Sequence, residues 1–408
     1  MSSGVLQGVR VLDLTRVLAG PWATQIFADM GADVIKVERP GRGDDTRGWG
    51  PPFLKDAQGQ DTALAAYFLA ANRGKKSVTI NIATPAGADL VRRLAQHCDV
   101  VLENYKVGDM RRYGLDYAAL SAVNPRLVYC SITGFGQSGP YRERAGYDFI
   151  IQGMGGLMSV TGPKEGQEGA GPCKVGVPIA DLMTGMYASS AILAALLHRN
   201  KTGEGQYIDM ALLDVQVGFL ANQNMNYLAS GKSPRRMGNA HPNIVPYQTF
   251  NTADGAMNLG VGNDGQFAKF CRVAGLEALV TDPLYATHSA RIDHRDTLVP
   301  IVAQRMLAHT SQYWSDALNA AGVPCGSVNT IAEVFQDPQV QSRGMKVSLP
   351  HPVAGHVDLV ANPIKFSKTP IQYEAPPPAL GEHTEAVLAQ LLGLADKELE
   401  ALKAQGVV

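Results

Sequence analysis

The residues of this chain whose types and spacing could perform chemistry centre on one carboxylate. Asp181 stands near the start of a long apolar run that continues to about residue 197, before Lys201-Thr202-Gly203. The run predicts a buried helix with Asp181 in its first turn. Free backbone N–H groups and the positive end of the helix dipole there favour the ionised carboxylate. An ionised carboxylate can be a nucleophile, although Asp is also a common N-cap residue, and the segment alone favours that second role.

Composition bounds the class of protein. The chain has 408 residues, of which 45% are hydrophobic and 18% charged, so we expect a large core in two domains or in one large domain with an insertion. A formal net charge of -1 predicts no general attraction to nucleic acid or to an anionic membrane. The 5 cysteines are widely spaced and form no CxxC, which favours reduced thiols over a disulfide frame or a zinc site.

The first residues carry no basic and apolar pattern of a secretory leader and no Arg-rich transit pattern. The most apolar run, near residues 187–197, is too short and too rich in Ala and Ser to predict a membrane span. We therefore expect a cytoplasmic protein.

Strands and helices alternate along the first half of the chain. A strand at 9–14, a helix at 20–30 and a strand at 33–38 form a βαβ unit, and further strands at 77–82, 99–103 and 126–132 follow. This α/β pattern predicts a parallel sheet covered by helices on both faces, with ligands beyond the carboxyl ends of the strands. We predict a large Rossmann-like domain over 1–224, a smaller α+β domain over 225–330, and a segment over 331–408 that returns to the large domain.

Basic residues gather at the predicted ligand edge. Arg39 follows the second strand, Arg112 lies in the segment 104–115, and Arg144 lies in 140–148. Three such clusters suit a ligand with several phosphates, whereas each one alone is typical of a solvated face. The first turn, residues 16–21, lacks the G-x-G-x-x-G fingerprint, so an NAD-dependent oxidoreductase is supported only by the βαβ pattern.

The loop 238–246 is rich in Gly, Asn and Pro, and it could cover a reaction site or merely connect two domains. His241 in this loop has no second metal-type ligand at a useful spacing, so we predict no metal role for it.

Together these segments resemble the class III CoA-transferase family, which includes formyl-CoA transferase and alpha-methylacyl-CoA racemase. The resemblance is carried by residues 12–21, residues 31–41, Glu103-Asn104-Tyr105, Gly134-Phe135-Gly136, and Asp181 with Thr184-Gly185. It implies a Rossmann-like large domain, a small domain, and two chains interlocked as a homodimer. It also implies Asp181 as the nucleophile, with no metal or redox cofactor. Coenzyme A would be a substrate, and the resemblance places it along Val17, Arg39, Asn104, Tyr105, Arg112 and Arg144.

Two departures from the family patterns narrow the chemistry. Leu18 stands where the formyl-CoA transferase pattern has a glutamine that helps hold a small polar acyl group, which disfavours oxalate and formate. Tyr147 stands where the racemase pattern has a histidine, and a tyrosine with a reference pKa of about 10 is a poor base near neutral pH. Transfer is therefore favoured over racemisation. An acyl-CoA racemase, an NAD-dependent oxidoreductase and a non-catalytic CoA-binding protein remain the alternatives.

Within the family the chain is most similar to the glutarate-type enzymes, at residues 43–47, 49–53, 240–247 and 406–408. That similarity implies succinyl-CoA as donor and a dicarboxylate such as glutarate as acceptor, through an aspartyl mixed anhydride and an aspartyl-CoA thioester. The free carboxylate of a dicarboxylate needs a cationic or hydrogen-bonding partner. The similarity and the loop positions select Arg47 and His241 for that role.

Overall fold

The computed structural model describes residues 4–408. Among these residues the strands are β1 (Arg10–Asp13), β2 (Asp33–Glu38), β3 (Phe53–Lys55), β4 (Asp61–Ala65), β5 (Lys75–Thr79), β6 (Val100–Glu103), β7 (Val128–Thr133), β8 (Gln206–Ala211), β9 (Tyr247–Asn251), β10 (Ala256–Gly260), β11 (Cys325–Ser327), β12 (Lys346–His351) and β13 (Gly355–Val360). The helices are α1 (Ala19–Asp29), α2 (Ala66–Leu69), α3 (Pro85–Ala95), α4 (Asp109–Arg112), α5 (Tyr117–Val123), α6 (Asp148–Met154), α7 (Leu157–Val160), α8 (Ile179–Thr202), α9 (Leu212–Phe219), α10 (Asn222–Ser230), α11 (Asp264–Ala274), α12 (His288–Asp293), α13 (Arg295–Met306), α14 (Ser311–Ala320), α15 (Ile331–Gln336), α16 (Pro338–Ser342), α17 (Thr384–Leu392) and α18 (Asp396–Ala404).

Six strands form one sheet in the order β5-β2-β1-β6-β7-β8, and every neighbouring pair is parallel. Successive residues of a strand face opposite sides. Val11, Val34 and Val100 accordingly pack into one core and Leu12, Ile35 and Val101 into the other. The predicted parallel sheet with two covered faces is confirmed. The strand order reverses between β1 and β6, which is the switch point where such sheets bind ligands.

The chain divides into two compact units. Of the described residues, the larger comprises 4–157, 175–225 and 341–408, and the smaller comprises 158–174 and 226–340. The smaller unit has an antiparallel sheet in the order β11-β10-β9 and a core that contains Phe250, Leu259, Phe267 and Trp314. The sequence placed residues 158–174 in the large domain, and the structure places them in the smaller unit. A hydrogen bond from the Glu165 N–H to the Arg236 carbonyl is one of the long-range links that the sequence did not reveal.

Of the predicted C-terminal segment, residues 341–408 belong to the larger unit and residues 331–340 to the smaller one. Val387, Leu388, Leu399 and Val407 are buried in the core that also contains Leu12 and Ile35. The sequence also predicts a helix near residues 384–392, and α17 lies there, whereas the hairpin β12–β13 and the helix α18 were not predicted.

The helix α8 passes through the larger unit and carries Asp181 in its first turn. By length and composition it could cross a membrane, with a mean hydropathy of 1.4 in its most apolar window. The helix has 24 residues and is longer than the most apolar run near residues 187–197, from which no membrane span was predicted. Ala180, Ala188 and Ile192 are fully buried beside strands of the sheet, which is the environment of a core helix.

Gly185 allows α1 and α8 to approach closely. A Cβ atom at this position would lie 2.7 Å from the Ala19 carbonyl oxygen and 3.1 Å from the Trp22 ring. Because glycine has no Cβ atom, the second turn of α8 can lie directly against the start of α1. The Thr184-Gly185 motif therefore has a packing reason.

We expect Gly185→Ala to lower the free energy of unfolding by about 1–3 kcal/mol, the usual cost of overpacking. Chemical denaturation measures it. Gly218→Ala is the matched control, since Gly218 also lies in a helix but faces open space. That control should gain up to about 1 kcal/mol from helix propensity. Equal stability of the two variants would contradict the close approach of α1 and α8.

Candidate active site

A cavity of about 450 Å³ opens beside the loops that follow β1, β6 and β7. Of the residues predicted from sequence, it is lined by Val17, Leu18, Asn104, Tyr105, Arg144, Tyr147 and Asp181. A second cavity of about 460 Å³ shares Arg16 and Tyr105 with the first and is lined by Arg39. Most of the residues predicted to bind substrate thus lie together at the edge of the sheet where the strand order reverses.

Asp181 is the third residue of α8, and another carboxylate caps the helix. Asp148, the first residue of α6, accepts hydrogen bonds from the N–H of Ala180 at 2.8 Å and of Asp181 at 3.4 Å through Oδ1. Its Oδ2 accepts from the side-chain amide of Gln152 at 2.6 Å. The capping role considered for Asp181 therefore belongs to Asp148, and the Asp181 side chain lines the cavity.

The electrostatic environment of Asp181 is opposite to the one predicted. Burial, and then repulsion by the Asp148 carboxylate, raise the pKa of Asp181 from 3.8 to about 7. The prediction that the helix terminus would favour its ionised form is wrong, because Asp148 already occupies the helix N–H groups and adds a negative charge. A buried carboxylate with a pKa near neutrality is typical of functional sites.

Tyr67 interacts electrostatically with this carboxylate and Trp49 packs against Tyr67, and neither role was predicted from the sequence. Burial, and then the Asp181, Asp148 and Asp44 carboxylates, raise the pKa of Tyr67 to about 12. The phenol therefore stays protonated and remains a hydrogen-bond donor at neutral pH. Its ring makes an edge contact with Trp49 at a centroid distance of 5.2 Å. Trp49 belongs to the segment 49–53 that carried part of the family resemblance, which was the one sequence signal available here.

Asn104 holds the loop after β1. Its Oδ1 accepts from the N–H of Arg16 at 2.9 Å, and its Nδ2 donates to the Arg16 carbonyl at 2.7 Å. The guanidinium of Arg16 lies 5.0 Å from the centre of the Tyr105 ring. Both amide atoms of Asn104 are thus engaged with protein, so its contribution to the site is the shape of this loop.

The position of Arg47 argues against the substrate role predicted for it. The buried guanidinium pairs with Glu38 through two hydrogen bonds of 2.8 and 2.7 Å, and it donates to the Pro378 carbonyl at 3.1 Å. It also lies 3.8 Å from the centre of the Phe68 ring. A substrate carboxylate would have to displace Glu38, so Arg47 is a packing residue in this structure.

The three other predicted arginines are solvent-accessible. Arg39 has no ion pair among residues 4–408 and lines the second cavity. Arg112 pairs with Asp109 at 3.3 Å and donates to the hydroxyl of Tyr113, which lines that same cavity. Arg144 lies over the Tyr141 ring at 3.9 Å.

His241 lies in the smaller unit, where its imidazole Nδ1 accepts from the N–H of Asn243 at 3.1 Å. Burial, and then Arg295, lower the pKa of His241. A neutral ring that accepts at Nδ1 carries its proton on Nε2 and can donate one hydrogen bond. Its role toward a substrate stays a prediction.

Comparison with known proteins gives consistent matches over nearly the whole chain. The family model described as CoA-transferase family III matches residues 6–384. The chain is 54% identical over 386 residues to the succinate–glutarate CoA-transferase of Agrobacterium fabrum, covering 95% of both chains. It is 42% identical to the succinyl-CoA:glutarate CoA-transferase of Homo sapiens, covering 99% of this chain and 90% of that one. A crystal structure of a CAIB/BAIF family protein from Brucella suis is similar at 50% identity with a TM-score of 0.83, covering 96% and 100% of the two chains.

We expect Asp148→Asn to lower the pKa of Asp181, because the amide keeps an acceptor for the α8 N–H groups and removes the nearby negative charge. Carboxyl NMR titration of the wild type and the variant measures the shift. Asp33→Asn is a control, since Asp33 pairs with Arg10 and Lys76 outside the cavity. An Asp181 pKa that is the same in Asp148→Asn and in the wild type would contradict the repulsion.

Proposed function

Because this chain belongs to CoA-transferase family III, we propose that it moves coenzyme A from succinyl-CoA to a dicarboxylate acceptor such as glutarate. The observation that carries this assignment is the half-buried Asp181 carboxylate with its raised pKa, which lines the same cavity as Leu18, Asn104 and Tyr105. The names of the similar proteins from Agrobacterium fabrum and Homo sapiens supply the donor and the acceptor.

In the proposed mechanism, ionised Asp181 attacks the thioester carbonyl of the donor, and the C–S bond breaks. The products are an aspartyl–succinyl mixed anhydride and the CoA thiolate. The thiolate then attacks the aspartyl carbonyl, which releases succinate and leaves an aspartyl-CoA thioester. The acceptor carboxylate repeats these two steps in reverse, so that CoA ends on the acceptor and Asp181 is regenerated. A carboxylate and a thioester suffice for this chemistry, so we propose no metal or redox cofactor.

The environment of Asp181 suits both halves of this cycle. A carboxylate with a raised pKa is a stronger nucleophile once ionised, and with a pKa of about 7 a useful fraction is ionised near neutral pH. Leu18 and Ala19, at the start of α1, line the same cavity, and no side chain among the described residues caps the first turn of α1. We propose that this helix terminus stabilises the oxyanion of the tetrahedral intermediates.

The two neighbouring cavities suggest the path of coenzyme A. The exposed guanidinium of Arg39 in the second cavity suits the nucleotide phosphates, and Tyr105 lies at the passage shared by both. The thioester end would then lie beside Val17, Leu18 and Asp181 in the first cavity. Arg112 and Arg144 lie at the rims of this path.

We propose that the protein acts as an interlocked homodimer. The larger unit exposes several large apolar side chains on α6, α8 and α9, namely Phe149, Ile150, Met154, Met186, Tyr187, Leu197 and Val217. A face of this kind is unusual for a monomer and typical of an interface. All 5 cysteines are free thiols, which supports the proposal of a cytoplasmic protein.

Asp181→Asn should abolish transfer and raise the free energy of unfolding. A residue with a purely structural role would instead lose activity together with stability. Since the pKa of Asp181 is raised in the folded protein, the folded state holds this proton more tightly than the unfolded chain. Stability is therefore lost as the pH rises from about 4 to about 7. We expect the free energy of unfolding of Asp181→Asn to exceed that of the wild type at pH 8, with a smaller difference at pH 4.

Transfer is measured by mass spectrometry of acyl-CoA products from succinyl-CoA and glutarate. Hydroxylamine should trap a hydroxamate on Asp181 in the wild type only. Near-native transfer by Asp181→Asn would sink the mechanism.

The dicarboxylate proposal predicts that glutarate accepts CoA faster than oxalate or the matched monocarboxylate butyrate. If the neutral His241 imidazole donates a hydrogen bond to the distal carboxylate, His241→Ala should raise the KM for glutarate about tenfold. The KM for butyrate should stay unchanged, which makes butyrate the internal control. Equal rates with butyrate and glutarate in the wild type would rule out a distal carboxylate pocket.

A further inference from the structure

The loop between β1 and α1 contains a strained residue. Val17 has a φ of 70°, and Val17 and Ala221 are the two non-glycine residues with positive φ in residues 4–408. The left-handed region is costly for any L-residue and most unusual for a β-branched one. Strain of this kind persists only where the surroundings enforce it, and it gathers at ligand sites. Val17 lines the cavity that contains Asp181.

Side chains from other segments hold this loop from Thr15 up to the N–H of the strained residue. The ammonium of Lys36 on β2 donates to the Thr15 carbonyl at 2.8 Å, and Asn104 binds both the N–H and the carbonyl of Arg16. The N–H of Val17 donates to the Asp44 carboxylate, at 3.2 Å from each oxygen. The backbone from Thr15 to Val17 is therefore fixed before any ligand binds.

Asp44 and Lys36 act as one buried pair. Their side chains are 0% exposed and their charged atoms lie 2.9 Å apart. Although burial opposes ionisation of both groups, each stabilises the charge of the other, so the pKa of Asp44 is lowered and that of Lys36 is raised. Asp44 also accepts from the N–H and the hydroxyl of Thr46. The pair is thus a rigid, charged anchor for the loop.

We propose that Asp44 is a positioning residue for coenzyme A binding, which holds Val17 in the left-handed conformation and so keeps the Arg16–Leu18 edge of the cavity in its binding shape. This inference rests on the proposed binding of coenzyme A along Val17. A preformed loop spares the ligand the cost of ordering it, so loss of the anchor weakens binding. The anchor touches neither the reacting atoms nor Asp181, and its effect should appear in the KM for acyl-CoA with little change in kcat.

A double-mutant cycle between positions 44 and 17 tests this role. Asp44→Asn keeps the shape of the side chain but replaces one carboxylate oxygen with an NH2 group, which cannot accept a hydrogen bond. The remaining amide oxygen cannot serve Lys36, the Val17 N–H and Thr46 together. We expect it to weaken CoA binding about tenfold by calorimetry. Glycine adopts positive φ at almost no cost. In the Val17→Gly background, Asp44→Asn should therefore weaken binding by about threefold or less.

Asp29→Asn is the matched control. Asp29 is also buried and paired, with two hydrogen bonds from Arg73 at 2.7 and 2.6 Å, but the pair lies outside both cavities described above. We expect Asp29→Asn to lower stability and leave the affinity for CoA unchanged. If Asp44→Asn does not fold, Asn104→Ala at a half-exposed position gives the same cycle with Val17→Gly.

An equal loss of CoA affinity in the Val17 and Val17→Gly backgrounds would overturn the positioning role, because the effect would then not pass through the strained residue. Failure of the wild type to bind CoA would overturn the proposed function itself, and the positioning role with it. A smaller loss in the Val17→Gly background, combined with wild-type binding, supports both.

Discussion

Four buried charged side chains lie near the loop that follows β1, at the point where the strand order of the sheet reverses. Asp13 at the end of β1 accepts from Lys75 at 3.2 Å, and Lys36 on β2 pairs with Asp44 at 2.9 Å, with all four side chains 0% exposed. Removing one partner of such a pair leaves an uncompensated charge in a dry environment, which costs more than the pair itself contributes. Each charge is therefore needed because the others are present. Together they fix the loop from Thr15 to Val17, on which both cavities depend.

The same edge of the sheet shows how environment separates two carboxylates. Burial alone would raise the pKa of Asp13, but the Lys75 and Lys36 ammonium groups and two hydroxyl donors hold it at about 2. Asp181 is half-buried at the cavity wall, and its charged neighbour is Asp148, so partial burial and repulsion raise its pKa to about 7. Asp13 is thereby a permanent anion that supports the fold. Asp181 retains a tendency to react, since its ionised form is poorly stabilised.

Much of the larger unit follows from sequence, because buried parallel strands leave a strong pattern. The strand predicted at 33–38 is β2, and the predicted βαβ unit contains α1. The environment of Asp181 did not follow, because it depends on Asp148, which is 33 residues away in sequence and reaches α8 only through tertiary packing. Arg47 was assigned to substrate from the similarity to the glutarate-type enzymes and from its loop position, neither of which reveals that Glu38 and Phe68 enclose it. One feature of the sequence does indicate the buried ion pair. Lys36 stands amid Val34, Ile35 and Val37 in a strand predicted to be buried, and a buried lysine requires a buried anion.

The features that make this site reactive also destabilise the fold. The destabilising residues line the cavity, and the residues that stabilise them lie behind it. A protein selected for stability alone would place an uncharged residue at position 181, where a half-buried carboxylate is repelled by another carboxylate. It would also place glycine at position 17, where valine is strained. Both unfavourable features lie on the wall of one cavity, and both are held by residues that do not line it, namely Asp148 and Asp44. The cost at the site is thus offset by hydrogen bonds and ion pairs in the layer behind it. That layer consists of Lys36 on β2, Asp148 on α6, and Asp44, which caps the short 3-10 helix Asp45–Gly48, so residues distant in sequence from Asp181 and Val17 shape the site.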